Sequence, residues 1–226
     1  MKGFVAITLS ILLFSCVQHP GDSSEVEAPS MVLDTIEGVA AGTLLRGELA
    51  SDFIPARPLD IWLPSSYDGT QKHNVLYMYD AQMLFDATTT WNGQEWRVDE
   101  ILDSLIIDDV ITPTIVVALY NGGQRRNFEY FPQKPAAHLQ AAFSDSVLSE
   151  ISKRYGSDST FSVNSDNYLR YMVEEVKSFV DGHFTVHTSA ASTAIMGSSM
   201  GGLMSMYAVG EYPSIFGAAL CMSTHW

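Results

Sequence analysis

The sequence predicts an α/β fold in which helices cover both faces of a mostly parallel sheet. Short apolar runs alternate along the chain with segments of helical periodicity, which is the pattern of strand–helix–strand units. The runs at 74–80 and 114–120 are apolar without alternation, as in strands that are buried on both faces. The 226 residues are enough for one such domain with a proper core.

The individual elements follow from these two periodicities. Strands are predicted, in chain order, at 42–51, 56–64, 74–80, 114–120, 193–197 and 216–223. Helices, in which the apolar residues recur every three or four positions, are predicted at 95–106, 167–184 and 200–210.

One segment, 133–165, interrupts the alternation and is predicted to be an insertion. Leu139, Phe143, Val147 and Ile151 recur at every fourth position, which predicts a helix in part of it. A structured insertion at the active-site edge of a sheet often serves as a lid or a binding wall. A surface excursion with no role in binding is the other interpretation.

The N-terminal residues 1–16 have the features of a secretory signal. One lysine precedes an apolar run at 4–14, which is too short to span a bilayer. The run ends in Leu-Phe-Ser-Cys, which resembles the bacterial lipobox. This resemblance implies that Cys16 becomes the lipid-modified first residue of a cell-envelope lipoprotein, periplasmic or surface-facing; an ordinary cleaved signal is the alternative. Residues 17–30 are polar and acidic, which predicts a flexible tether, and the folded domain is expected at 31–226.

The formal net charge of −14 excludes some classes of partner. A field of this sign repels phosphate backbones, so we expect neither nucleic acid nor an anionic membrane surface as a partner. Membrane attachment is expected only through the lipid on Cys16. The sequence contains no metal-ligand spacing, phosphate-cradling loop or dinucleotide-binding fingerprint, so neither a metal nor another cofactor is expected.

The stretch Gly197-Ser198-Ser199-Met200-Gly201 fits the pattern G-x-S-x-G and lies between a predicted strand and a predicted helix. In a nucleophile elbow the strand turns sharply into the helix, so that the central serine oxygen stands above the sheet edge. Only small residues fit two positions before and after the serine, which accounts for Gly197 and Gly201. The pattern therefore predicts Ser199 as a nucleophile and the backbone N–H of Met200 as a donor to a developing oxyanion.

Four stretches together carry a family resemblance: RPLDIWLPSSYD, VLYMYDAQMLFD, NGGQRRNFEYFP and GSSMGGLMSMYAVGEYPSIFGAALCMS. With these the chain resembles the putative-esterase family of α/β-hydrolases, which includes enterochelin esterases, esterase D, and feruloyl and acetylxylan esterases. The resemblance covers residues 42–226. It implies the α/β-hydrolase fold and the hydrolysis of carboxylic esters by Ser199.

The resemblance also implies where the second oxyanion donor lies. In the family this donor comes from the loop after the strand that is written VLYMYD in this chain. The backbone N–H of Gln82 takes that place, or that of Ala81. Ala81 stands where the family usually has glycine, and alanine allows the backbone less freedom.

Further pocket residues are implied in the same way. Arg126 and Glu129 fall in the family's Arg…Glu stretch, and we interpret them as an ion pair beside the substrate pocket; a solvated surface pair is the alternative. Trp91, Trp96 and Trp226 are candidates for pocket walls, although packing in the core is equally expected for Trp96.

The base that Ser199 requires is harder to place. Of the six histidines, His19 lies in the tether, His138 in the insertion, and three precede strands at the opposite edge of the sheet from the serine: His73, His183 and His187. His225 follows the last predicted strand at the correct edge, where it and Trp226 are expected to border the pocket.

The family places its acid and histidine after two further strands. We therefore expect the sequence to be a C-terminally truncated enzyme that lacks the last strands. The alternatives are that His225 replaces the base, or that the protein is a non-catalytic surface lipoprotein that binds ligands on the same scaffold. The expected substrates are acyl esters, such as acylated carbohydrates or siderophore-type esters.

Overall fold

The computed structural model describes residues 30–142 and 163–224, which contain a seven-stranded sheet flanked by helices. The strands are β1 (Asp34–Ile36), β2 (Thr43–Leu49), β3 (Arg57–Leu63), β4 (Asn74–Tyr79), β5 (Thr114–Leu119), β6 (Thr193–Ser198) and β7 (Ala218–Met222). The six predicted strands are confirmed, with ends shifted by a few residues. The short strand β1 was not predicted, and it pairs with β2.

The strand order in the sheet is β1-β2-β3-β5-β4-β6-β7. The pairs β1–β2, β2–β3 and β3–β5 are antiparallel. The pairs β5–β4, β4–β6 and β6–β7 are parallel. Five of the seven strands therefore run in one direction, with β1 and β3 reversed. This arrangement confirms the predicted α/β class and brings the carboxyl ends of β4, β5 and β6 to one edge.

The helices are α1 (Val98–Ile107), α2 (Arg126–Tyr130), α3 (Gln133–Ala142), α4 (Ser165–Arg170), α5 (Lys177–His183) and α6 (Met200–Glu211). A π-helical segment, Tyr171–Val176, joins α4 to α5, so the helix predicted at 167–184 is an α–π–α run. Helix α1 begins later than its apolar pattern because Arg97 has a positive φ of 56°, which a continuous helix does not allow.

Each face of the sheet carries its own apolar core, because successive side chains of a strand point to opposite faces. On one face, residues such as Tyr77, Val117 and Ile195 pack with helices α4 to α6. On the other face, residues such as Met78 and Val116 pack with α1. The expectation of helices on both faces is thus confirmed.

The α1 face is less completely covered toward β7. A groove of about 490 Å³ crosses it, and its walls include Leu76, Met196 and Met222. Leu220 on β7 is 44% exposed, although it is a large apolar residue. None of the helices within residues 30–142 and 163–224 is both long and apolar enough to cross a bilayer.

Several predictions lie outside the described residues. These are the signal at 1–16 with Cys16, almost all of the tether, the central part of the insertion, and His225 and Trp226. The described part of the insertion contains α3, which includes Leu139, whereas Phe143, Val147 and Ile151 of the predicted helix lie outside the described residues.

Candidate active site

Ser199 lies between the last residue of β6 and the first residue of α6, as the motif predicts. Its backbone has φ 57° and ψ −119°, a conformation that residues with side chains rarely adopt. The Ser199 N–H donates to the carbonyl oxygen of Met222 at 2.9 Å, and the Ser199 carbonyl accepts from Gly202 at 3.1 Å. Strand β7 and helix α6 therefore hold the strained residue in place from both sides.

The two elbow glycines have different steric surroundings. A β-carbon added to Gly197 would lie 2.5 Å from the carbonyl carbon and oxygen of Gly201. A β-carbon added to Gly201 would meet nothing closer than 3.4 Å, which is ordinary van der Waals contact. The expectation that both positions exclude a side chain is therefore correct only for Gly197.

Met200 is the first residue of α6, a twelve-residue helix, and is buried. The first N–H groups of a helix have no acceptor inside it, and the helix dipole places partial positive charge there. The backbone N–H of Met200 thus belongs to a site that favours a negatively charged oxygen.

The loop after β4 begins with Asp80, which has a positive φ of 60°, and continues into a 3₁₀ turn at Ala81–Met83. The left-handed conformation therefore falls on Asp80. Ala81 is not among the positive-φ residues, so alanine at the family's glycine position causes no backbone strain here. The side chain of Gln82 donates from Nε2 to the Asn121 carbonyl at 3.2 Å, and its Oε1 accepts from the Asn121 N–H at 3.4 Å.

Arg126 pairs with Asp80. Its Nε donates to Oδ1 at 2.6 Å and its Nη2 to Oδ2 at 2.7 Å. The Asn121 amide donates to the same Oδ1 at 2.7 Å. Burial disfavours the charged guanidinium, but the hydrogen bonds and charge of Asp80 outweigh it, so the pKa of Arg126 is raised.

Glu129 pairs with Arg57 instead of Arg126, so the expected Arg126–Glu129 pair is wrong. Both side chains are nearly inaccessible, at 6% for Arg57 and 2% for Glu129, and two N–H···O bonds of 2.8 Å join them. The Gly122 N–H donates to Glu129 Oε2 at 3.1 Å. This buried pair fixes the loop that follows β5.

Of the two candidate tryptophans that the structure describes, Trp91 differs from its expected place and Trp96 agrees with it. Trp91 is 87% exposed and so forms no pocket wall in this structure. Trp96 packs against the core beneath α1 and lines the apolar groove together with Leu102 and Ser198.

Three histidines lie at the sheet edge opposite Ser199, as predicted. His73 precedes β4 and accepts at its carbonyl from the His187 N–H, and His183 ends α5. His138 is exposed on α3. Among residues 30–142 and 163–224, no histidine is hydrogen-bonded to Ser199.

The same described ranges contain no group of three or more His, Cys, Asp or Glu side chains that is placed to hold a metal ion. Cys221 on β7 is a free, partly buried thiol, and burial raises its pKa.

The model of the family described as putative esterase matches residues 55–226. This chain belongs to the putative esterase family. Among curated proteins, YbbA of Bacillus subtilis is 24% identical over 174 residues, which are 76% of this chain and 58% of YbbA.

Two solved structures, one of an esterase and one of a serine hydrolase, have the same fold. The ferric enterobactin esterase of Salmonella typhimurium superposes with a TM-score of 0.57 at 16% identity, over 80% of this chain and 36% of its own. An IroE-like serine hydrolase from Shewanella oneidensis superposes with a TM-score of 0.56 at 18% identity, over 79% of this chain and 50% of its own. The chain thus spans between about a third and three fifths of these relatives. At such identities the structures establish the α/β-hydrolase fold.

The sequence did not single out three residues of this site: Asp80, Asn121 and Arg57. For the first two a signal existed: Asp80 is the polar last residue of the run 74–80, and Asn121 directly follows the run 114–120. Arg57 begins a strand and carries no such signal.

Proposed function

We propose that the protein is a serine hydrolase of carboxylic esters, with Ser199 as the nucleophile. The observation that carries the proposal is the backbone of Ser199, which is strained at the junction of β6 and α6. Such a conformation costs on the order of 1–3 kcal/mol, and nothing in the folding of the sheet requires a serine there. Membership of the putative esterase family supports the same reaction.

In the proposed reaction the Ser199 oxygen attacks the ester carbonyl carbon, and the carbonyl oxygen becomes negatively charged. The backbone N–H of Met200 donates to this oxyanion, as does that of Gln82 or Ala81. A histidine takes the serine proton and transfers it to the leaving alcohol as the C–O bond breaks. Water, which gives a proton to the same histidine, then attacks the carbonyl carbon of the acyl-serine ester. The bond to the Ser199 oxygen breaks, the carboxylic acid is released, and the histidine returns the proton to Ser199.

We place the histidine and its acidic partner outside the described residues, in a part of the protein beyond Trp226. The short span of this chain relative to YbbA and the esterase structures supports that position. Within the present sequence, His225 is the candidate for the histidine base.

The proposed substrates are acyl esters, such as acylated carbohydrates or siderophore-type esters. The structural similarity to the ferric enterobactin esterase supports this class of substrate. A lipid anchor on Cys16 would hold the enzyme in the cell envelope, where it meets substrates of this kind.

Labelling with a fluorophosphonate probe tests the nucleophile, because the probe reacts only with an activated serine. The full-length protein should be labelled, and Ser199→Ala should abolish labelling and lower the hydrolysis of p-nitrophenyl acetate by about four decades or more. Ser198→Ala is the matched control, since it removes the neighbouring hydroxyl of the same motif. This variant should retain both labelling and hydrolysis. Labelling that survives Ser199→Ala would contradict the proposal, as would a wild-type protein that neither reacts with the probe nor hydrolyses the ester. Either result would favour the alternative of a non-catalytic surface lipoprotein that binds ligands.

A further inference from the structure

The loop that bears the second oxyanion donor begins beside the elbow. Strands β4 and β6 are parallel neighbours and are paired up to Met78 and Met196. Asp80 and Ser199 follow these two strands, and both have positive φ, 60° and 57°. The two donors of the proposed oxyanion hole therefore sit on adjacent turns, whose spacing must be maintained.

The Asp80 carboxylate lies against the first turn of α6. Its Oδ2 lies 3.4 Å from the position that a β-carbon on Gly201 would occupy, as does the β-carbon of Tyr79. A carboxylate at this place is favoured by the positive end of the helix. Asp80 thus connects the loop after β4 with the turn that carries Ser199.

Asp80 is buried, so its charge needs partners. Arg126 supplies a two-point ion pair and Asn121 a third hydrogen bond. The next-but-one residue of the loop, Gln82, is tied to the backbone of Asn121 through both ends of its amide. Residues that follow β5 therefore hold both Asp80 and Gln82, which lie at the two ends of the segment that carries the second oxyanion donor.

The guanidinium of Arg126 directs Nε and Nη2 at Asp80 and lies over the ring of Tyr130, 5.1 Å from its centroid. We propose that Arg126 is a positioning residue, which acts through Asp80 to hold the N–H of Gln82 or Ala81 at the oxyanion. This inference rests on the proposed function. It differs from direct contact with substrate, because it predicts an effect on the transition state and not on substrate binding.

The test compares Arg126→Met with Arg46→Met in the full-length protein. Arg46 makes the same two-point pair with Asp60, at 2.6 and 2.7 Å, between β2 and β3. For each variant we would measure kcat, KM, the melting temperature, and the inhibition constant of a trifluoromethyl ketone, which forms a tetrahedral adduct with an activated serine.

Arg126→Met should lower kcat by about 10- to 100-fold, somewhat less than the loss of a whole oxyanion donor. The affinity for the ketone should fall by the same factor, with KM changed by less than about threefold. Arg46→Met should lower the melting temperature but leave kcat and ketone affinity unchanged. Arg126→Lys keeps the positive charge but not the planar guanidinium that makes two hydrogen bonds. Its kcat and ketone affinity should lie between those of wild type and Arg126→Met.

A folded Arg126→Met with wild-type kcat and ketone affinity would overturn the proposal, as would a raised KM with unchanged kcat. If Arg126→Met does not fold, Asp80→Asn replaces it, because it keeps the shape of the side chain and weakens the same pair; it should show the same loss of kcat. A wild-type protein without ester hydrolysis or ketone binding would instead contradict the proposed function itself.

Discussion

The end of β6 and the first turn of α6 touch at Gly197 and Gly201, and the contact is one-sided. A β-carbon on Gly197 would collide with the Gly201 backbone at 2.5 Å, whereas one on Gly201 would meet its nearest neighbour at 3.4 Å. The reason is direction: Gly197 faces the backbone of α6, while Gly201 faces the side chains of Tyr79 and Asp80 at van der Waals distance. The two glycines look equivalent in the sequence motif, but only position 197 excludes a side chain, whereas position 201 has room for a β-carbon.

The first prediction uses this pair. Gly197→Ala should force β6 and α6 apart, lower the free energy of unfolding by about 1–3 kcal/mol and abolish fluorophosphonate labelling of Ser199. Gly201→Ala, the matched control, should change the free energy by less than about 1 kcal/mol and retain labelling. Urea unfolding and probe labelling measure both effects. Equal behaviour of the two variants would contradict the one-sided contact.

A second prediction concerns the buried pair Arg57–Glu129. A β-carbon on Gly122 would lie 2.6 and 2.8 Å from the two Glu129 carboxylate oxygens, so Gly122→Ala must displace the carboxylate from Arg57. Because unpairing a buried charge is costly, we expect a loss of up to about 3–5 kcal/mol in the free energy of unfolding. Gly182→Ala in α5, where nothing lies within 4 Å, should instead stabilise by about 0.5–1 kcal/mol. A Gly122→Ala protein as stable as wild type would show that the pair can shift at no cost.

A third prediction tests the lipid anchor. If Cys16 is the acylated residue, Cys16→Ser in the native host should leave an unprocessed precursor or release the protein from the membrane fraction. Cys221→Ser is the control, since it removes the other cysteine and should leave fractionation unchanged. Mature Cys16→Ser protein that still sediments with membranes would rule out the anchor.

A fourth prediction locates the base. The 226-residue chain without residues 1–16 should hydrolyse p-nitrophenyl acetate near background, and a longer chain that includes the proposed acid and histidine should be active. In the short chain, His225→Ala should therefore change nothing. Rapid turnover by the short chain that His225→Ala abolishes would make His225 the base.

Local features could be predicted from the sequence because they depend on near neighbours. The continuous apolar runs gave β4 and β5, and glycine spacing gave the strained serine between β6 and α6. Strand β1 escaped prediction because three residues are too few to show a period, and pairing with β2 defines it. The π-helical segment escaped because a change from α to π hydrogen bonding leaves the apolar pattern almost the same.

What the sequence by itself determined about this protein is the α/β class, the family and the serine at the elbow, since each is written in consecutive residues. Only the tertiary structure decided the ion pairs. Arg126 and Glu129 are three positions apart and could face each other, yet Arg126 binds Asp80, 46 positions away, and Glu129 binds Arg57, 72 positions away. The sheet order brings β3, β4 and β5 together, and buried charges take the partners that complete desolvated, two-point hydrogen bonds. That choice depends on which strand ends become neighbours in space, and it can be read only once the sheet has formed.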